Sequence, residues 1–277
     1  MSRIIEIDDL NRSELDVYVR LTGAQLRSRL EPERGIFIAE SPTVISVALD
    51  AGCTPISLLT DKRLLSGGIV ELAERCGDIP IYTAERELLT EITGFELTRG
   101  ALAAMKRPPA KSAEDILSTA KRIAVLEGIT DSTNVGAIFR SAAALGIDAV
   151  LLSPTACDPL SRRALRVSMG TALLIPFATL GDNPHSWQDE GFAILRRYGF
   201  TSLAMALRDD TLSLDVNRLD SEEKLAIFLG TEGTGLTEKT IDACDYTVKI
   251  PMQRGVDSLN VAAAAAIAFW QLTRTKE

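Results

Sequence analysis

Residues 122–140 read RIAVLEGITDSTNVGAIFR and contain the transition that decides the fold. The run 122–126 is almost entirely apolar, which is typical of a strand buried on both faces of a sheet. A polar run follows, and the apolar residues of 135–145 then recur at helical spacing until Gly146 ends the pattern. A strand that leads into a crossover helix is the unit of a parallel sheet, so this stretch predicts an α/β fold.

The same alternation continues to the end of the chain. We predict strands at 149–152, 173–177, 202–206, 225–229 and 246–250, and helices at 162–168, 187–198, 238–243 and 259–272. Near-continuous apolar strands separated by helices indicate a parallel sheet that is covered on both faces.

The first half also alternates, with shorter elements. We predict helices at 15–30, 41–49, 70–76 and 85–92, and strands at 36–39, 55–59 and 79–82. Pro108 and Pro109 then stop regular structure, because proline lacks an amide donor and restricts the preceding residue. The chain is therefore divided into a domain at 1–107, a linker at 108–119 and a domain at 120–277.

Composition excludes several classes of protein. Of the 277 residues, 46% are hydrophobic and 25% are charged, as in ordinary globular proteins. No uncharged apolar run reaches about 18 residues, so we expect no membrane span. The first residues, MSRIIEIDDL, lack the basic and apolar blocks of a secretory signal. Four scattered cysteines and one histidine argue against a metal site or a disulfide framework, and the expected location is the cytoplasm.

The net charge of −8 disfavours a protein that is basic over its whole surface. Two local clusters of cations remain as candidates for contact with nucleic acid. The alternative interpretation is a solvated face. The clusters comprise Arg99, Lys106, Arg107, Lys111, Lys121 and Arg122, and then Arg162, Arg163 and Arg166.

Three separate segments have the composition of ligand sites. In the first, Asn134 ends the polar run before a helix and would cap it, and Arg140 follows six residues later. Free amides at a helix N-terminus and a guanidinium both suit a phosphate or another anion. The alternative is an ordinary cap followed by a surface arginine.

The second segment is FLGTEGTGL at 228–236, in a predicted turn from strand to helix. Its three glycines allow a ligand to approach the backbone closely. The segment matches neither the dinucleotide-binding fingerprint nor the phosphate-binding P-loop. A glycine-rich turn without a ligand is the alternative.

The third segment is VKIPMQRGVDSLN at 248–260, which leads into an alanine-rich helix. Asp257 or Ser258 would cap that helix, and the row of alanines would let another backbone pack closely against it. A loop that leads into a buried helix is the alternative interpretation.

Together, the three segments resemble the motifs of the SpoU/TrmH family of RNA ribose methyltransferases, within the SPOUT superfamily. The matching residues are Asn134 with Arg140, 230–236, Ile250-Pro-Met252 and Ser258-Leu-Asn260, in the family's order. The resemblance covers 122–272, over half of the chain. Residues before the linker resemble, more weakly, the L30e-like domain of such proteins. Ser41 stands where those members usually have glycine.

The resemblance implies a parallel-sheet domain with a deep C-terminal trefoil knot, preceded by a smaller L30e-like α/β domain. It implies S-adenosylmethionine as the methyl donor and a homodimer with the active site near the subunit interface. The residues expected to bind the cofactor are Gly230, Ile250, Met252, Leu259 and Asn260.

The implied reaction is methyl transfer to a ribose 2′-hydroxyl of RNA. In the family pattern Arg140 is the main catalytic residue, and the residues that shape the site are Asn134, Glu232, Ser258 and Asn260. Arginine is an unusual base because its pKa lies above about 12, so Arg140 either acts as a base next to a substrate phosphate or clamps that phosphate.

Ribosomal RNA is the expected substrate, because the additional N-terminal domain resembles that of members which modify it. Transfer RNA is the close alternative. A catalytically silent RNA-binding protein of the same fold and a dinucleotide-dependent oxidoreductase are further alternatives, the latter disfavoured by the missing fingerprint. We expect no metal ion and no membrane partner.

Overall fold

The computed structural model describes residues 3–9, 12–19, 35–65, 68–98, 100–208, 211–215, 219, 222–256 and 258–274. The chain divides into two compact units. Unit 1 comprises 1–109 and 160–173, and unit 2 comprises 110–159 and 174–277. None of the described helices combines the length and the apolar character that crossing a membrane requires.

Unit 1 contains a mixed five-stranded sheet in the order β1-β4-β3-β5-β2. Its strands are β1 (Arg3–Glu6), β2 (Ile36–Glu40), β3 (Pro55–Asp61), β4 (Pro80–Ala84) and β5 (Ala101–Lys106). β1, β4 and β3 pair in parallel, whereas β5 is antiparallel to both β3 and β2. The helices of this part are α1 (Pro42–Asp50), α2 (Gly68–Cys76) and α3 (Arg86–Thr93).

The turn from β2 into α1 has an unusual backbone. Ser41 precedes Pro42 and caps α1, with its Oγ accepting a hydrogen bond from the Val44 amide at 3.4 Å. Its φ of 90° and ψ of 149° lie in a region that essentially only glycine adopts without strain. Ser41 therefore caps α1 while its own backbone is strained.

Unit 2 contains a seven-stranded sheet in the order β10-β12-β9-β11-β6-β7-β8. Every pair of neighbouring strands is parallel. The strands are β6 (Arg122–Leu126), β7 (Ala149–Leu152), β8 (Phe177–Thr179), β9 (Thr201–Met205), β10 (Leu212–Ser213), β11 (Leu225–Leu229) and β12 (Tyr246–Lys249). The predicted parallel α/β sheet is confirmed.

Five helices described in unit 2 accompany this sheet: α4 (Ala113–Leu117), α5 (Ser132–Ala144), α7 (Trp187–Arg197), α8 (Glu238–Ala243) and α9 (Val261–Thr273). A buried core lies between the sheet and α7, where the rings of Phe192 and Phe228 stack with centroids 5.0 Å apart. α5 and α9 pack against each other. They run in the same direction, because Asn134 meets Asn260 near their starts and Gly146 approaches Thr273 beyond their ends.

Two predicted helix caps are wrong. Asp131, rather than Asn134, caps α5 by accepting the Thr133 amide at 2.6 Å. Asn260, rather than Ser258, caps α9. Asp257, the other predicted cap of α9, lies outside the described residues. In both cases several capping residues stand side by side, and contacts with distant parts of the chain decide which one is used.

Residues 160–173 contain α6 (Arg162–Val167) and a 3₁₀ turn at Thr171–Leu173, and they pack within unit 1 against β2 and α1. Glu40 is buried at the end of β2 and forms ion pairs with Arg162 at 2.7 Å and Arg166 at 3.4 Å. The Arg162 guanidinium also lies over the Phe95 ring, 4.1 Å from its centroid. These contacts hold α6 on unit 1.

Most predicted elements are present with shifts of one or two residues at their ends. The extended segment predicted at 173–177 is wrong in its first part, which is the 3₁₀ turn, and β8 begins only at Phe177. β1, β5, β10 and α4 were not predicted. Of the helix predicted at 15–30, residues 20–30 lie outside the described residues, and Ser13–Leu15 form a 3₁₀ turn.

Candidate functional site

A cavity of about 610 Å³ opens at the carboxyl edge of the unit 2 sheet, where β9, β11 and β12 end. Parallel strands present the loops that follow them at this edge, and ligands of open α/β sheets bind there. The cavity is lined by residues of all three loops and by the start of α9. Among them are Gly230, Glu232, Ile250, Met252, Ser258, Leu259 and Asn260, seven of the nine predicted site residues.

Gly230 is the residue at which the second loop cannot tolerate a side chain. A Cβ placed there would lie 2.2 Å from the Gly235 carbonyl carbon and 2.3 Å from the Leu236 amide nitrogen. The loop returns onto itself through two hydrogen bonds between the backbones of Thr231 and Gly235, each 3.1 Å long. The turn is therefore compact, and its backbone forms one wall of the cavity.

Asn260 connects the three predicted motifs. Its Nδ2 donates to Asn134 Oδ1 at 3.0 Å and also to Glu232 Oε1. Its Oδ1 accepts the amides of Ala262 and Ala263 at 3.0 and 3.3 Å, which caps α9. One amide side chain thus fixes the start of α9, the first turn of α5 and the glycine-rich loop relative to one another.

Two of the predicted site residues do not line the cavity. Asn134 is buried in the first turn of α5 and reaches the site through Asn260. Arg140 lies on the exposed surface of α5, six residues and therefore about 9 Å further along the helix axis. Within the described part of the chain, no carboxylate or carbonyl partner is found for its guanidinium.

The loop after β9 was missed as part of the site. Met205, Ala206 and Leu207 line the cavity, as do Glu238 and Ile241 of α8. The loop after β9 carries no motif in its sequence, and its apolar residues resemble the continuation of a strand. Only the position of β9, between β11 and β12 in the sheet, could have indicated that its carboxyl end meets the same cavity.

A buried carboxylate supports the glycine-rich loop. Glu127 follows β6 and is only 6% exposed. Its Oε1 accepts a hydrogen bond from the Thr237 hydroxyl at 2.8 Å, and Thr237 caps α8 directly after the loop.

Cys244 follows the last residue of α8, and burial raises the pKa of its thiol to about 12, so it is a neutral packing residue.

Three cations that were candidates for contact with nucleic acid, Arg122, Arg162 and Arg166, have other partners. Arg122 donates to the backbone carbonyls of Glu222, Glu223 and Leu272 at 3.0, 2.6 and 3.1 Å. Burial lowers the pKa of Arg122 below its ordinary value. Arg162 and Arg166 both form ion pairs with Glu40. Arg99 lies outside the described residues, whereas Lys106, Lys111, Lys121 and Arg163 are exposed.

The site combines a backbone that allows close approach, apolar walls and the two carboxylates of Glu232 and Glu238, and it contains no histidine. The described residues contain no cluster of three or more His, Cys, Asp or Glu side chains suited to hold a metal ion. Such a lining suits an organic ligand that has both an apolar part and polar groups for the backbone.

The chain is similar to proteins that are named as RNA methyltransferases. A protein named an uncharacterized tRNA/rRNA methyltransferase of Mycobacterium bovis is 39% identical over 98% of this chain and 92% of its own length. A 23S rRNA (guanosine-2′-O-)-methyltransferase of Acinetobacter baylyi is 30% identical over 78% of this chain and 86% of its own length.

Among solved structures, an rRNA methyltransferase of Sinorhizobium meliloti has a TM-score of 0.81 at 21% identity, covering 97% of both chains. The family model described as the SpoU rRNA Methylase family matches residues 121–270. This range contains the whole cavity, the Asn260 network and Arg140. The chain therefore belongs to the SpoU rRNA methylase family.

Proposed function

We propose that this chain transfers a methyl group from S-adenosylmethionine to a ribose 2′-hydroxyl of ribosomal RNA. The observation that carries the proposal is the Asn260 network, which gathers the three family motifs at one cavity. Membership of the SpoU family and the names of the relatives support RNA methylation as the reaction.

The cavity fits the proposed cofactor. Its volume of about 610 Å³ lies within the usual range for small-ligand pockets. Leu207, Ile250 and Leu259 offer apolar surface to an adenine ring, and the backbone around Gly230 offers hydrogen bonds to polar groups. When bound, S-adenosylmethionine supplies an electrophilic methyl group on a positively charged sulfur.

We assign the remaining site residues by their contacts. The hydrogen bonds of Asn260 to Asn134 and Glu232 fix the walls of the cavity relative to each other. Glu232 is held in the glycine-rich wall by its hydrogen bond to Asn260. Ser258 lines the cavity beside them. None of these groups is a strong base, so positioning of the 2′-hydroxyl carries much of the catalysis.

Arg140 is assigned the role of a phosphate clamp. A guanidinium ordinarily stays protonated, and its fork of donors matches phosphate oxygens. Its exposure on α5, away from the cavity of its own chain, leaves it available to a substrate. The clamped phosphate fixes the adjacent ribose.

We infer that the working form is a homodimer in which Arg140 serves the partner's cavity. α9 carries no charged residue from 261 to 273, and Ile267 and Trp270 on its outer surface are 40% and 59% exposed. Helices that are apolar all round are usually buried, so this stripe favours a second copy as its partner. Arg140 lies at the same height on the neighbouring α5.

A mixed dimer tests this inference. Chains with Arg140→Ala and chains with Gly230→Ala, carrying different tags, should each be inactive alone. The purified mixed dimer should recover about half of the wild-type rate, because a two-fold dimer has two equivalent sites and one would be intact. If Arg140 served its own cavity, the mixed dimer would stay inactive.

The finer points of the fold are also proposed. The path from β11 past β9 to β12, and back to α9 beside α5, supports the trefoil knot in the C-terminal part. We infer that residues 1–107 form the L30e-like RNA-binding domain, that 108–119 link it to 120–277, and that exposed cations such as Lys106 and Arg163 contact phosphates. Because ribosomal RNA is the proposed substrate, we infer that the enzyme acts in the cytoplasm.

Labelling total RNA with a radioactive methyl donor tests the function. We expect label in a ribose 2′-O-methyl of ribosomal RNA, and its loss with Arg140→Ala. Label confined to tRNA would favour the tRNA alternative. RNA binding without any methyl incorporation would favour a catalytically silent RNA-binding protein.

A further inference from the structure

Arg208 joins two walls of the cavity. It follows Leu207 directly in the loop after β9, and its Nη1 donates to Asp242 Oδ1 at 2.5 Å. Its Nη2 donates to Glu238 Oε2. Glu238 and Asp242 stand four residues apart on α8, so both carboxylates project from one face of that helix.

The two segments that Arg208 joins both contribute to the cavity. Leu207 lines it from the loop after β9, and Glu238 lines it from α8. Leu207 is 58% exposed, which leaves an apolar side chain at the rim held by little packing of its own. Arg208 itself is not part of the lining.

The described part of the loop is also held at its two ends. The Ala206 amide donates to the Val248 carbonyl at 3.2 Å, and β10 pairs with β12 further on. Between these points, Arg208 supplies the described side-chain contacts from the loop to α8. The ion pairs therefore set the distance between Leu207 and α8 across this side of the cavity.

We propose that Arg208 is a positioning residue for S-adenosylmethionine: through Glu238 and Asp242 it holds Leu207 in the place where the cofactor's apolar part binds. This inference rests on the proposed function. Leu207 and Arg208 are held in place before the ligand arrives, so less conformational entropy is lost on binding. The guanidinium does not contact the cofactor or the reacting atoms.

The experiment compares wild-type protein with Arg208→Ala and Arg208→Lys. The matched control is Arg197→Ala, which removes another exposed arginine of unit 2 that pairs with Glu114 at 3.3 Å. Calorimetry gives the Kd of S-adenosylmethionine at low and high salt, and steady-state assays give kcat and KM.

We expect Arg208→Ala to raise the Kd and the KM for the cofactor about fivefold at low salt, because exposed ion pairs contribute modestly. The kcat at saturating cofactor should stay unchanged, and Arg208→Lys should lie between the two. High salt should raise the wild-type Kd towards that of Arg208→Ala and leave the variant's Kd unchanged, because salt screens exposed charges. Arg197→Ala should match wild type.

A wild-type protein that binds the cofactor with the same Kd as Arg208→Ala at low salt would overturn this inference alone. A loss of kcat at saturating cofactor would also overturn it, because it would show a direct role in the reaction. A wild-type protein that fails to bind S-adenosylmethionine would overturn the proposed function, and this inference with it.

Discussion

The two turns that lead from a strand into a loop or helix at Gly230 and Ser41 differ in why they favour glycine. At Gly230 a side chain would collide with the backbone of Gly235, whereas the backbone angles of Gly230 itself are ordinary. At Ser41 the angles are those of glycine, yet a serine occupies the position. The first turn forms a wall of the cavity and the second does not. Position 230 in unit 2 therefore has the glycine that its surroundings require, whereas position 41 in unit 1 has a serine with strained backbone angles.

The contacts beside Ser41 explain how unit 1 tolerates that strain. Glu40 is buried and bound by Arg162 and Arg166, so the end of β2 is held in place from outside the turn. Ser41 in turn donates its own amide to the Ala101 carbonyl at 2.9 Å. Strained residues persist where their surroundings fix them on both sides.

Removing that support should have the largest effect on stability. Glu40→Ala leaves two arginines without their carboxylate, and the side chain of one of them, Arg162, is only 11% exposed. We expect a loss of about 3 kcal/mol in the free energy of unfolding. Urea denaturation followed by circular dichroism measures it. Glu96→Ala, which breaks the exposed pair with Arg86, is the control and should cost less than about 1 kcal/mol. Equal losses in the two variants would mean that the burial of Glu40 has no energetic consequence.

A substitution at Gly230 should weaken cofactor binding more than it destabilises the fold. Gly230→Ala forces the loop away from Gly235, and we expect the Kd of S-adenosylmethionine to rise by about 100-fold, equivalent to about 2.7 kcal/mol. Calorimetry checks this. Gly68→Ala is the control, because no described atom lies within 4 Å of the added carbon. Binding that survives Gly230→Ala would show that the wall can shift freely.

Asn260→Asp separates the two tasks of that side chain. The carboxylate still caps α9, but it no longer donates to Asn134 and it repels Glu232. We expect about a tenfold loss in methyl transfer, or about 1.4 kcal/mol in kcat/KM, with the melting temperature nearly unchanged. A variant that melts early while retaining its activity would reverse this assignment.

Ser41→Gly should give the smallest effect and the opposite sign. Relief of the strained backbone outweighs the lost cap and the greater freedom of glycine in the unfolded chain, so we expect a gain of about 1 kcal/mol. Thermal unfolding measures it, and Ser41→Ala serves as the comparison that keeps the strain and loses the cap. A destabilised Ser41→Gly would mean that the hydroxyl is worth more than the strain.

Sequence reasoning reached the parallel sheet and the three motifs because both are local patterns. It placed the caps wrongly because Asp131 and Asn134 are equally good capping residues, and only Asn260, 126 positions away, decides that Asn134 faces inward. It treated Arg122 and Arg162 as free cations, since their partners lie about 100 positions away or further along the chain. Met205 and Ala206 belonged to the strand predicted at 202–206, and nothing in the sequence marked Met205–Leu207 as part of the site.

Arg122 has a consequence for the tail of the chain. Its guanidinium donates hydrogen bonds to the Leu272 carbonyl in the last turn of α9, far from the cavity, and to the carbonyls of Glu222 and Glu223, which precede β11. A knotted chain can untie only if one of its ends is withdrawn through a loop. If the proposed knot is present, the hydrogen bonds of Arg122 would oppose the withdrawal of α9 from it, and the cofactor pocket that α9 lines would open less often than the surrounding surface.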